Sequence, residues 1–135
     1  MADIIEKLAE IPQLYHAQGC TDSQIADAEQ TLGITFPEEF KTYVKTYGAI
    51  SFYATEWTGL NVGSFINVVN ATKQEREFNA DFPKDCFVLE NQAIDGILTV
   101  MDGAGKIYLV QYDKKEYLCD SLDEYLDICL KRNPK

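Results

Sequence analysis

One histidine, one tryptophan and four cysteines without a CxxC pair leave this 135-residue chain few of the parts that catalysis or metal binding needs. Cys20, Cys86, Cys119 and Cys129 lie too far apart, with only His16 beside them, to form a zinc-ligand spacing. They read as reduced, mostly buried thiols. No GxSxG elbow and no HExxH pair is present. The Gly105-Lys106 step lacks the other parts of a phosphate loop: Val100 stands where the first glycine belongs, and Ile107 where the magnesium-holding Ser or Thr belongs. Apolar runs are too short to span a bilayer, and Met1–Ala9 alternates apolar residues with Asp3 and Glu6, unlike a signal peptide. A cytoplasmic protein without cofactor is expected.

Positive charge is also scarce. Twelve Lys and Arg face 22 Asp and Glu, a net charge of −10 and a pI near 4.4. Such a surface repels phosphate backbones and anionic membranes, so neither nucleic acid nor membrane is an expected partner. It speeds encounter with a basic protein, and it also serves plain solubility. Twenty-two carboxylates bring some pairs together in any fold, so their abundance is no sign of a glycosidase. No catalytic constellation emerges, and the expectation is a non-enzyme.

What is present is a well-patterned single domain with 46% hydrophobic residues. Ile4, Leu8, Ile11 and Tyr15 step at helical spacing, with Pro12 ending or kinking the helix and His16 near its negative end. Thr21 with Gln24 is a capping box that opens a second helix, with Ile25, Ala28 and Leu32 inward and Gly33 stopping it. Pro37, Glu38 and Glu39 suit the first turn of a third helix, whose core face holds Phe40, Val44 and Tyr47 and which ends at Gly48.

From Ala49 the period changes. Residues 50–54 and 57–60 read as short strands, and Thr72 with Glu75 suggests a short helix through Phe78. Residues 86–90, 96–101 and 106–112 read as three clearer strands, the last two joined by a tight turn at Asp102-Gly103-Ala104-Gly105. Residues 116–119 suggest one more strand. Ser121 with Glu124 caps a closing helix lined by Leu122, Leu126 and Cys129. Helices, then an antiparallel sheet, then a final helix make an α+β domain, residues 1–135.

Residues 1–40 carry eight acids and one Lys, a local net charge of −7. Glu29 sits at the edge of its helix's buried stripe, either tied to a nearby backbone N–H or Lys or free to meet a partner. Trp57, beside Glu56, is either a core residue or an exposed anchor.

The ordered landmarks resemble the SUKH superfamily, which includes bacterial immunity proteins and a fungal cell-wall regulator. Ile25-x3-Glu29-x2-Leu32-Gly33-Ile34-x-Phe36-Pro37-x2-Phe40-x2-Tyr43-x4-Gly48 is similar to the family's opening, with Phe36 in place of the usual Leu. Trp57-x2-Leu60 matches an aromatic near a "G..L" step, Val68-Val69-Asn70-x-Thr72 resembles a segment of YobK-like antitoxins, and Ser121-Leu122-x2-Tyr125-Leu126 is similar to the closing helix. These positions are mainly core and capping residues and transfer no catalytic group. The resemblance implies a SUKH-like fold, with helices packed on a mainly antiparallel sheet. It also implies an immunity protein that neutralises a basic toxin domain, often a nuclease, with a regulatory scaffold or adaptor as the alternative. A small-molecule or hydrolytic domain would instead need a deep sheet cleft with perturbed carboxylates. For the partner surface the expected residues are Glu56, Asp81, Asp85, Glu90 and Asp95, with Trp57 as anchor.

Overall fold

The computed structural model describes residues 4–92 and 95–132. Three helices come first: α1 (Ile4–Ala9), α2 (Asp22–Leu32) and α3 (Glu38–Tyr47). Between α1 and α2 lies the short strand β1 (Tyr15–His16), which joins β2 (Ile50–Phe52) and β3 (Thr55–Trp57) in an antiparallel sheet ordered β1-β2-β3. A single 3-10 turn (Ser64–Ile66) and α4 (Val68–Phe78) lead into β4 (Cys86–Asn91), β5 (Ile97–Asp102), β6 (Ile107–Gln111) and β7 (Lys114–Cys119), a four-stranded antiparallel meander. Helix α5 (Leu122–Leu130) follows. The domain is α+β, as the sequence leads one to expect.

Local rules explain most boundaries. Thr21 and Gln24 form the full capping box, and Gly33 closes α2 in the left-handed conformation at φ 71°. The Asp102–Gly105 turn is held by the Asp102 carboxylate, which accepts from the N–H groups of Ala104 and Lys106, both at 3.0 Å. Ser121 accepts from Glu124 N at 3.1 Å, and the Glu124 carboxylate accepts from Asp120 N at 2.8 Å. A second cap comes from across the domain. Glu39 of α3 accepts from Leu122 N at 2.8 Å and Asp123 N at 3.1 Å, placing a carboxylate on the positive end of α5.

The strands expected over 50–54, 57–60 and 116–119 lie at Ile50–Phe52, Thr55–Trp57 and Lys114–Cys119, and two helix boundaries also move. The first helix stops at Ala9 rather than running toward Tyr15, because Pro12 bars a helical conformation for the residue before it and Gln13 turns left-handed at φ 59°. Tyr15 is consequently exposed, and His16 sits in β1 opposite Ile50, its ring edge-on to Tyr47, and not at a helix end. Helix α4 begins at Val68, capped by the Asn67 side chain, which accepts from Val69 N and Asn70 N. Thr72 is therefore buried in mid-helix, where its hydroxyl accepts from Val88 N at 2.9 Å. Of the amphipathic start at Met1–Ala9, Met1–Asp3 lie outside the described residues.

The four-stranded sheet is covered on both faces. Phe87, Leu89, Met101 and Ile107 face the main core, which α1, α2, α3 and α5 complete with Leu8, Phe36, Phe40 and Leu126. Cys86, Val88, Leu98, Val100 and Val110 face the other way into a smaller core with Ala71 of α4 and Phe82. Thr58 stitches the two sheets together, its N–H donating to Leu89 O and its hydroxyl to Val88 O, both at 2.8 Å. Behind this seam the backbones approach closely. A Cβ on Gly59 would stand 1.6 Å from the Gly48 carbonyl oxygen, so only glycine fits there.

Candidate interaction surface

The expected acidic residues do not form one patch. Glu56 is exposed on β3, and Asp81 and Asp85 are exposed on the connection from α4 to β4. Asp95 is exposed in the β4–β5 turn, with φ at 51°. The length of β4 separates Asp85 from Asp95, roughly 17 Å at the usual strand rise. Asp81 belongs to the Asp95 end. Its N–H donates to Asn79, whose amide donates to Tyr112 O at 2.9 Å, and neighbouring Gln111 donates to Asp95 O at 2.9 Å.

Glu90 departs furthest from expectation. It is 2% exposed, not a surface acid. Strict alternation after Phe87 and Leu89 would send it to the α4 side of the sheet, but a bulge between Val88 and Glu90 pairs it with Thr99. That turns it toward α5. There Arg132 Nη1 donates to both carboxylate oxygens, at 3.1 and 2.9 Å, and the Tyr125 hydroxyl donates to Glu90 Oε1. Arg132 also reaches Thr55 Oγ1 at 3.2 Å and Gln92 Oε1 at 3.3 Å, and Glu56 N donates to Glu90 at 3.2 Å. Burial, together with Cys129 and Glu90 nearby, holds the Tyr125 phenol well above its ordinary pKa, so it stays a donor. Every oxygen of the buried charge is answered, so the cluster fastens β3, β4 and the end of α5 to one another.

Trp57 is likewise no exposed anchor. It is fully buried, stacked on Tyr125 with 5.9 Å between ring centroids and edge-on to Tyr43 at 5.4 Å. Its place on β3 alternates with exposed Glu56, so the acid faces solvent and the indole fills the junction of sheet and helices. Glu29 takes the tethered option of the two that the sequence leaves open. Its carboxylate accepts from Phe36 N at 2.8 Å and lies 3.6 Å from Lys41 Nζ. The four thiols are buried, and Cys86 is pushed up to about 12 by desolvation and then by Asp85.

Concave surface lies elsewhere. A groove of about 580 Å³ opens between α2 and the 60–70 segment, with Gln24, Asp27 and Thr31 on one wall and Val62, Asn67 and Asn70 on the other. At Asn70 it meets a second hollow of about 530 Å³, bordered by Phe65, Lys73, Gln74, Glu77 and Phe78. Phe65 is 57% exposed and Phe78 74%. Side-chain hydrogen bonds brace the segment between β3 and α4. Asn61 and Ser64 both hold positive φ, at 63° and 57°. Asn67 donates to Val62 O and Asn70 to Ser64 O, each at 2.9 Å, while Asn61 donates to Gln18 O at 3.2 Å. These amides are committed to the backbone and build the wall.

Sequence reasoning missed Phe65 and Phe78. No local signal marks them. Phe78 lies seven residues beyond buried Ala71, about 20° around α4, so helix phase alone points it inward, yet it is exposed at the helix's last position. Among the described residues no group of three or more His, Cys, Asp or Glu side chains is placed to hold a metal ion. No helix among them is long and apolar enough to cross a membrane.

A family model described as SMI1-KNR4 cell-wall, of the SUKH type, matches residues 1–131. A search of curated proteins finds no match to the chain.

Proposed function

The chain belongs to the SUKH superfamily's SMI1-KNR4 family, and from that premise we propose that it is a cytoplasmic immunity protein that binds and neutralises a basic toxin domain. The observation that carries this reading is the family match over nearly the whole chain, joined to a net charge of −10. A nuclease toxin must hold a polyanion, so its cleft is basic, and an acidic domain docks there with an electrostatically enhanced on-rate. The protein would act by covering the toxin's site and not by chemistry of its own.

Charge placement agrees with a binding role. Among the described residues Lys7 is paired with Asp123 and Asp127, Lys41 with Glu29 and Glu38, and Lys45 with Asp22. The cations of the helical third are thus occupied locally, and surplus carboxylates such as Asp27 face solvent.

The test is co-expression with the C-terminal domain of the protein encoded immediately upstream, in a host which that domain kills. Restored growth is the expected outcome. Continued killing with both proteins present in soluble form would remove the immunity reading. It would bring forward a scaffold or adaptor role.

A further inference from the structure

We propose that the toxin-facing surface is the groove and hollow along α2 and α4, with Phe65 and Phe78 as its two anchors, and that the partner sets an apolar side chain between them beside basic residues. This rests on the immunity reading and adds where and how the chain binds.

Three observations converge on this face. Phe65 and Phe78 are large apolar residues that both border one hollow of about 530 Å³, each more than half exposed. Aromatic side chains around a concavity are the composition that interface centres favour. The hollow adjoins the 580 Å³ groove through Asn70, so the concave surface is long enough for an extended stretch of partner.

The second observation is rigidity. Phe65 follows Ser64, a non-glycine residue at φ 57°, and that strain is maintained by the Asn70 bond to Ser64 O and the Asn67 bond to Val62 O. An exposed phenylalanine on a braced, strained turn loses little freedom on binding.

Charge supplies the third. Of the three acids on α2, Asp22 and Glu29 pair with Lys45 and Lys41 on another side of the helix, and Asp27 faces the groove. Asp27 lines the groove, is exposed, and forms no ion pair among the described residues. Glu77 and Lys73, one turn apart on α4, both border the hollow. A basic partner therefore finds the carboxylate of Asp27 beside an apolar slot whose own two charges offset each other. The acids around the sheet offer no comparable shape, being spread over both ends of β4 and over β3.

The experiment measures binding of the full chain to the purified C-terminal domain of the upstream-encoded protein by biolayer interferometry. It compares wild type with F65A/F78A, with D27K, and with E56K/D85K. F65A/F78A is expected to weaken Kd by about 30-fold or more, mainly through koff. D27K should lower kon several-fold at low salt, and E56K/D85K should leave Kd within about threefold. Both phenylalanines are exposed, so the double variant keeps its wild-type circular dichroism spectrum. Tight binding by F65A/F78A together with loss in E56K/D85K would overturn this placement and leave the immunity reading standing. No binding by wild type would remove the immunity reading itself, and the placement with it.

Discussion

Replacing Arg132 with alanine is expected to lower the unfolding free energy by about 3 kcal/mol, the lower end of what removing one partner of a buried ion pair costs. The reason is what remains behind. Glu90, 2% exposed with Arg132 in place, keeps the Tyr125 hydroxyl and the Glu56 N–H but loses its cation. Arg132 is itself only partly buried, its side chain 22% exposed, so water reaches the vacated space and limits the loss. A domain of this size should lose about 10 °C in Tm. The double variant R132A/E90Q separates a missing charge from missing packing. If the unpaired carboxylate is the cause, the neutral amide recovers much of the loss, a coupling that a double-mutant cycle reads directly. A Tm for R132A within a degree of wild type would mean that Glu90 is satisfied without the guanidinium.

Trp57→Ala should cost about 3–5 kcal/mol, the range for truncating a large aromatic in a packed core. The indole is fully buried against Tyr125 and Tyr43, and the Tyr43 hydroxyl next to it donates to Thr58 O at 2.8 Å, so the void opens at the seam between the two sheets. Glu56→Lys, one residue away and exposed, should stay within about 0.5 kcal/mol. Urea unfolding followed by circular dichroism measures both, since W57A removes the chain's one tryptophan. A W57A protein as stable as wild type that no longer binds a partner would return Trp57 to the role of an anchor.

Trp57 and Glu90 show where sequence reading reaches its limit. Trp57 fits the period-two pattern with Glu56, but the pattern alone does not say which face of so short a strand is inward. Glu90 is harder. Its orientation depends on the bulge after Val88, and its charge is offset by Arg132, 42 positions away. Neither fact has a local signature. Where the determinants are local the reading was close. Thr21 with Gln24, Gly33, the Asp102 turn and Ser121 with Glu124 each fixed a boundary that the structure reproduces. Thr72 with Glu75 carried the same spacing and was no cap, because Asn67 had already opened the helix one turn earlier. Tyr15 continued a helical stripe across Pro12, yet pairing with Ser51 claimed it for the sheet. The candidate groove escaped for a related reason. Its walls come from α2, the 60–70 segment and α4, and nothing local distinguishes exposed Phe65 and Phe78 from core residues.

The most direct measurement is a titration of the purified chain against the upstream-encoded C-terminal domain, with cleavage of plasmid DNA and of total RNA followed at each ratio. Inhibition that becomes complete at one chain per toxin domain, and weakens in F65A/F78A, is the expected result. Undiminished cleavage at a large excess of the chain, with the toxin domain folded and active, would contradict a neutralising role.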